Sequence, residues 1–220
     1  MSDRQFHLEL PILESRAEQD FFVSASNRQA VERIAAWPAW PGRVLALVGP
    51  ASSGKSHLAA IWAERAGARV CSAQSLDSDT MKPPEAECVL VDDADRVESE
   101  EALLHLFNWL RERRGSLLLT ATGRPVNWEV KLPDLSSRLA TVTVAGIEPP
   151  DDDLLAGLIG KQLADRQLTV SDAVIRFLIR RMERSFGAAR GIVEQLDALS
   201  LSEGRPITIP LARKMFENMS

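Results

Sequence analysis

The sequence has few cysteines, no long apolar run and no excess of positive charge. Its two cysteines, Cys71 and Cys88, lie in separate apolar segments that look like neighbouring strands, and they lack the spacing of metal ligands. We therefore expect buried free thiols rather than a redox or zinc site.

The same absences bear on membranes and nucleic acid. No apolar stretch approaches the length of a membrane-spanning helix, and the first residues lack the positive and apolar regions of a signal peptide. We expect a cytoplasmic protein without a membrane partner. The net charge of -5 excludes a global attraction to nucleic acid, so any such contact must be local, and direct sequence-specific DNA binding is not expected.

Regular secondary-structure patterning, by contrast, runs through most of the 220 residues. Up to residue 148, apolar strand patterns alternate with helical ones, which predicts an α/β fold with a parallel five-stranded sheet flanked by helices. The predicted strands are 44–48, 69–72, 88–91, 117–120 and 141–144, and the predicted helices are 27–36, 55–66 and 100–114.

The pattern changes after Pro149-Pro150, where helical periodicity continues without strands. This predicts a small C-terminal all-α lid, with helices near 152–166, 172–183 and 187–200 and a short one after Pro210. The predicted division is a tail (1–11), a nucleotide-binding α/β subdomain (12–148) and the lid (149–220).

One motif indicates chemistry directly. Residues 49–56 read GPASSGKS and match G-x-x-x-x-G-K-[ST], the loop whose backbone N–H groups surround nucleotide phosphates at the start of a helix. We expect ADP or ATP with Mg²⁺, Lys55 on the outer phosphates and the Ser56 hydroxyl on the metal. The residues predicted to bind the cofactor from this segment are Gly49, Pro50, Ser52, Ser53, Gly54, Lys55, Ser56 and His57.

A pair of acids follows the apolar strand that begins at Cys88. Asp92 is predicted to position Mg²⁺ and Asp93 to orient or deprotonate the attacking water, whereas Asp95 is expected to be a turn or N-cap residue. Thr120 and Thr122 end the next strand. They either face the γ-phosphate or occur there through strand propensity alone, and the sequence leaves both interpretations open.

Several segments, in order along the chain, resemble the DnaA-type AAA+ ATPase family of bacterial replication initiators. They are DFFVSASNRQA from residue 20, GPASSGKSHL, VLVDDAD, LTATGRP, LSSRL at 135–139 and FGAARGIVE from residue 186. The resemblance implies an AAA+ fold, with Phe22 and Val23 beside the nucleotide. It also implies that Arg190 is a second sensor reaching the chain's own nucleotide, unless it is simply a solvated helix residue.

The resemblance implies a different role for Arg138, as an arginine finger that enters a neighbouring subunit's nucleotide site. In such a role a guanidinium stabilises charge on the γ-phosphate oxygens. The alternative is a surface arginine without a function. The first-sensor segment departs from the family pattern because it has one more residue and no aspartate, so hydrolysis by the chain itself is expected to be weak.

The chain resembles most the short, Hda-type members, which lack the helix-turn-helix domain and work with the DNA polymerase III sliding clamp to make DnaA hydrolyse its ATP. The tail QFHLEL is similar to clamp-binding peptides, with Gln5, Phe6, Leu8 and Leu10 predicted to contact the clamp. A first strand or a packed N-terminal arm is the alternative interpretation of this alternation.

The expected function is therefore negative regulation of replication initiation, with the clamp and DnaA as partners. The resemblance suggests ADP as the working nucleotide, and self-association is compatible with a surface arginine finger. Two alternatives remain from other classes: an independent P-loop ATPase or kinase, and a DNA-loading or initiation factor. Acidic net charge weakens the second of them.

Overall fold

The computed structural model describes residues 22–76 and 87–219, and its centre is one parallel sheet of five strands. The spatial order of the strands is β2-β3-β4-β1-β5, and every neighbouring pair is parallel. The α/β fold expected from the alternating patterns is thus confirmed. The strands are β1 (Val44–Val48), β2 (Arg69–Ser72), β3 (Cys88–Asp92), β4 (Ser116–Ala121) and β5 (Thr143–Gly146).

Burial explains which segments form the central strands. β4 is buried at every position, and β1 and β3 are buried at all but one, as expected for parallel strands covered on both faces. β2 lies at the edge and exposes Val70 by 60%. The two cysteines lie on the neighbouring strands β2 and β3 as free thiols; Cys88 is buried, which raises its pKa, and Cys71 is partly exposed.

Helices cover the two faces of the sheet and give each face its own hydrophobic core. The helices α1 (Arg28–Ala35) and α2 (Lys55–Ala66) pack with one set of strand residues. The helices α3 (Glu100–Glu112) and α4 (Pro133–Ala140) pack with the alternate set. The period-two alternation of a strand therefore separates the two cores.

The C-terminal part consists of four helices with a third core of their own. They are α5 (Asp152–Asp165), α6 (Asp172–Ile179), α7 (Phe186–Glu203) and α8 (Ile209–Met219). The Asp151 and Ser185 side chains cap α5 and α7 by accepting N–H groups of the first turn. The all-α lid matches the expectation, while the exact boundary at residue 149 stays a prediction.

Several predicted bounds were wrong, among them the ends of α3 and α7, which lie at Glu112 and Glu203 and not at 114 and 200. β5 begins at Thr143 and not at 141, α6 ends at Ile179 and not at 183, and α8 begins before Pro210, because proline is tolerated in the first turn of a helix. α4 had no counterpart among the predicted helices. Within the residues that the structure describes, no helix is long and apolar enough to cross a membrane.

The start of α4 is held by a side chain from another helix. Leu132 precedes α4 and provides no side-chain cap. The Glu100 carboxylate, at the start of α3, accepts the backbone N–H of Lys131 at 3.0 Å and that of Leu132 at 2.7 Å. Glu100 therefore fixes α4, the helix that carries Arg138, against α3.

Replacing Glu100 with alanine is expected to lower the free energy of unfolding by about 1 kcal/mol, because two backbone donors lose a charged acceptor. The hydrogen bonds from Lys131 and Leu132 lower the pKa of Glu100. Its stabilising effect is therefore full above the ordinary glutamate pKa and is lost as the pH falls through the lowered value.

Denaturant unfolding at neutral and acid pH will measure this difference, which should shrink in acid. Glu101→Ala removes an exposed carboxylate from the same helical turn and serves as the control. An equal loss of stability in both variants would contradict the capping role.

Candidate functional site: the phosphate loop and its surroundings

The 49–54 loop is tied to the strands on both sides of β1. The Gly49 N–H donates to the Ala121 carbonyl of β4 at 3.2 Å, and the Ile147 N–H, just after β5, donates to the Val48 carbonyl at 2.7 Å. A Cβ on Gly49 would lie 2.4 Å from the Ile147 oxygen, so no larger residue fits. Gly54 has φ +93°, a conformation that glycine adopts readily, and α2 begins at the next residue.

Lys55 lies inside this loop with only 7% of its surface exposed. Its Nζ donates to the carbonyl oxygens of Gly49 and Pro50, both at 2.8 Å. Burial lowers the pKa of Lys55, and this outweighs the opposing influence of the nearby carboxylates, of which Asp93 is the strongest. The ammonium group is thus placed where it can meet a bound anion.

The other predicted loop residues differ in exposure. Pro50, Ser52 and His57 are exposed, and Ser52 has φ +53°. Ser53 is buried, and its Oγ has no hydrogen-bond partner among the described residues. A buried orphan hydroxyl beside a loop of backbone donors fits a site completed by an anionic ligand.

Asp92 lies between two hydroxyl groups. The Ser56 Oγ is 3.3 and 3.4 Å from its two carboxylate oxygens, and the Thr120 Oγ1 donates to its Oδ1 at 2.5 Å. Thr120 is fully buried and also accepts the Asp93 N–H at 2.9 Å. Of the two interpretations of Thr120, the geometry favours a residue of the site, because its hydroxyl orients the acid directly.

The pairing of Ser56 with Asp92 fits Mg²⁺. This ion prefers oxygen ligands and usually takes only one or two of them from the protein, the rest coming from phosphate and water. No group of three or more potential metal ligands occurs in the part of the chain that the structure describes. Ser56 and Asp92 would hold Mg²⁺ together with phosphate oxygens of a bound nucleotide.

The two other acids lie in the turn after β3. Asp93 is exposed and has φ +53°. Asp95 lies in this turn, as expected, but its Oδ2 accepts the N–H of Thr122 at 2.8 Å and also its hydroxyl group. Thr122 thus contacts Asp95, whereas Thr120 contacts Asp92.

The lid touches the phosphate loop through the first residues of α7. The Phe186 N–H donates to the Ser52 carbonyl at 3.0 Å, and the Phe186 ring lies 3.3 Å from where a Cβ on Gly54 would be. Arg190 is exposed on α7, one turn further on, without an ion pair among the described residues. The loop and the lid are therefore in direct contact at Phe186.

Phe22 and Val23 lie at the other junction with the lid. The Phe22 ring is 37% exposed and lies 3.5 Å from where a Cβ on Gly157 of α5 would be. Its carbonyl accepts the Asn27 side chain at 2.8 Å, and Val23 packs against the core of α1 and α2. The structure thus places Phe22 between the two parts of the protein.

Arg138 lies elsewhere, on α4, which packs on the opposite face of the sheet from α2. It is half-buried rather than fully on the surface, and its Nε is enclosed without a hydrogen-bond partner in the described part of the chain. This guanidinium therefore retains an unused donor. The clamp-binding residues predicted in the tail, Gln5, Phe6, Leu8 and Leu10, lie outside the described residues.

Sequence reasoning missed three contacts of the site: Asp95 with Thr122, Phe186 with Ser52, and Glu100 with the start of α4. The DDAD sequence was the one local signal for Asp95, since it brings a third carboxylate to the carboxyl end of β3. The other two contacts join residues far apart in the chain, and no local pattern indicates them.

Comparison with known proteins agrees with this architecture. Residues 151–216 match the family described as Hda, lid domain. The chromosomal replication initiator protein DnaA of Cutibacterium acnes is 22% identical over 90% of this chain and 45% of its own length, so the chain spans about half of that relative.

Two solved structures show the same fold. Domain III of the Thermotoga maritima replication initiation protein DnaA superimposes with a TM-score of 0.76 and 19% identity, covering 91% of this chain and 95% of that one. AMPPCP-bound DnaA from Aquifex aeolicus gives a TM-score of 0.70 and 19% identity over 84% of this chain and 66% of its own. The residues of the lid thus match the Hda lid family, and the chain as a whole shares the fold of DnaA domain III.

Proposed function

We propose that this protein is a nucleotide-bound negative regulator of chromosomal replication initiation, which binds the sliding clamp and stimulates ATP hydrolysis by DnaA. The observation that carries the proposal is the match of residues 151–216 to the Hda lid, on a fold shared with DnaA. The formed phosphate loop beneath that lid supports it.

The first element of the proposal is nucleotide binding. ADP or ATP would lie with its phosphates on the 49–56 loop, Lys55 on the outer phosphates, and Ser56 and Asp92 holding Mg²⁺. The DnaA of Aquifex aeolicus was solved with AMPPCP, which supports a nucleotide at the same place. Bound Mg²⁺ would neutralise phosphate charge, while Thr120 keeps the Asp92 carboxylate oriented.

The nucleotide would also set the position of the lid. Phe186 bonds Ser52 of the loop directly, and Arg190 follows it by one helical turn. A ligand on the loop would therefore act on α7 through both residues. In this proposal the bound nucleotide fixes the conformation of the lid and is not consumed to drive work. Asp93 supports at most slow hydrolysis.

The second element is an arginine finger acting in trans. Arg138 lies on α4, which packs on the face of the sheet opposite α2 and whose start is held by Glu100. In this role the guanidinium would meet a γ-phosphate oxygen of ATP bound to DnaA. A guanidinium placed there stabilises the charge that develops during phosphoryl transfer.

The third element is the tail. A glutamine amide at a pocket rim with apolar side chains in a groove is a known form of peptide recognition, and residues 5–10 have that pattern. We expect the double variant Gln5→Ala/Leu8→Ala to lose capture by immobilised sliding clamp, because both the polar and the apolar contacts are removed. A pull-down with purified clamp measures this.

Glu9→Ala is the matched control for the tail, because it changes a residue between Leu8 and Leu10 that the pattern leaves free. It should bind the clamp like the wild type. Undiminished capture of the double variant would show that the tail is not the clamp-binding element.

A second candidate is an independent P-loop ATPase. The contacts of Asp92 with Ser56 and Thr120, together with the neighbouring Asp93, favour it because hydrolysis needs such an arrangement. Steady-state ATP turnover by the isolated protein distinguishes the regulator of DnaA from the independent ATPase. Rapid turnover that neither clamp nor DnaA alters would favour the independent enzyme.

A further inference from the structure

Asp95 forms a second carboxylate–threonine pair beside the pair of Asp92 and Thr120. Its Oδ2 accepts both the N–H and the hydroxyl group of Thr122, whereas its Oδ1 is enclosed and has no hydrogen-bond partner among the described residues. An enclosed carboxylate oxygen without a partner is unusual, because buried polar atoms are normally hydrogen-bonded. The arrangement therefore needs an explanation beyond the turn.

The pair lies on the structural path that holds the phosphate loop. Thr120 and Thr122 flank Ala121, whose carbonyl accepts the Gly49 N–H at the start of the loop. Asp92 fixes the residue before Ala121 and Asp95 fixes the residue after it. Asp92, the last residue of β3, and Asp95, in the turn that follows, thus hold the end of β4 on both sides of the carbonyl that anchors Gly49.

Asp95 also acts on the loop through its charge. Burial lowers the pKa of Lys55, and among the carboxylates that oppose this effect Asp95 ranks second, after Asp93 and before Asp92. Asp95 has no ion pair in the part of the chain that the structure describes. Asp95 is thus one of three carboxylates whose negative charge acts on the buried ammonium group that would meet the phosphates.

We propose that Asp95 is a positioning residue of the nucleotide site, which holds the end of β4 through Thr122 and makes nucleotide binding depend on a divalent cation. The inference rests on the proposed nucleotide site. The negative charge of Asp95 repels phosphates that carry no cation. A divalent cation between the carboxylate and the phosphates removes that repulsion. The hydrogen bonds that hold β4 do not depend on this repulsion. Different substitutions can therefore test the positioning of β4 and the electrostatic effect separately.

The experiment is calorimetric titration of ADP into the full chain, once with Mg²⁺ and once with EDTA. Asp95→Asn keeps the shape of the side chain and an acceptor for Thr122 but removes the charge. We expect it to strengthen ADP binding in EDTA by about fivefold, the order of magnitude for one charge acting through a partly screened site. The ratio of the affinities with and without Mg²⁺ should fall by the same factor.

Thr122→Val tests the hold of Asp95 on the end of β4, because it removes the hydroxyl donor and keeps the charge of Asp95. It should weaken ADP binding about equally with and without Mg²⁺ and leave their ratio as in the wild type. Glu98→Gln removes an exposed charge from the same turn and should change neither value. Thermal unfolding of each variant without nucleotide identifies any loss of folding.

The outcomes distinguish this inference from the proposed function. A wild-type protein that binds no ADP would overturn the nucleotide site itself. A wild type that binds ADP, with an unchanged Mg²⁺ ratio in Asp95→Asn, would overturn the electrostatic role of Asp95. Unchanged ADP affinity in Thr122→Val would overturn its positioning role, even if Asp95→Asn failed to fold.

Discussion

Lys55→Ala is expected to weaken ADP and ATP binding by about 100-fold or more, equivalent to about 2.7 kcal/mol. The Lys55 ammonium is buried and held by the Gly49 and Pro50 carbonyls at the centre of the loop. Alanine removes the cation that would meet the outer phosphates and leaves those carbonyls without their donor. Titration calorimetry with Mg²⁺ present measures the change.

Lys131→Ala is the control for this loss of charge. Lys131 is exposed, and it bonds Glu100 through its backbone N–H, which alanine retains. It should bind nucleotide like the wild type. An affinity of Lys55→Ala within threefold of the wild type, in a variant that unfolds at an unchanged temperature, would show that the 49–56 loop is not the nucleotide site.

Arg138→Ala is expected to abolish stimulation of DnaA ATP hydrolysis, since arginine fingers are worth roughly 10³- to 10⁵-fold in rate. The affinity of the Arg138→Ala variant for nucleotide should not change, because α4 lies on the other face of the sheet from α2. Single-turnover hydrolysis of ATP on DnaA, with clamp on DNA, measures the stimulation.

Two further variants sharpen the Arg138 test. Arg138→Lys should rescue little, because an ammonium group lacks the planar, forked donors of a guanidinium. Arg111→Ala, an exposed arginine in the last turn of α3, should behave as the wild type. If Arg138→Ala stimulated DnaA ATP hydrolysis as strongly as the wild type, Arg138 would not be an arginine finger acting in trans.

The parts of the fold that could be predicted are those encoded locally. Three segments, each a nearly unbroken apolar run, predicted β1, β3 and β4, because central parallel strands must be apolar on both faces. The phosphate loop was predictable for a similar reason, since Gly49 and Gly54 are required by a close backbone approach and a positive φ within a single short segment.

The rest depended on contacts between distant segments. α4 has a first turn that begins with Pro133, and its capping acceptor comes from Glu100, so its own sequence carries only half of the signal. Asp95 was predicted as a turn residue, and only the parallel pairing of β3 with β4 brings Thr122 to it. The contact of Phe186 with Ser52 depends on how the lid sits over the loop.

In the proposed function, this protein acts on ATP that is bound to another protein, DnaA. The most direct test loads DnaA with labelled ATP and follows the label with clamp on DNA, in the presence and absence of this protein bound to ADP. We expect ATP on DnaA to be converted to ADP much faster when this protein and the clamp are both present. The same rate with and without this protein would contradict it.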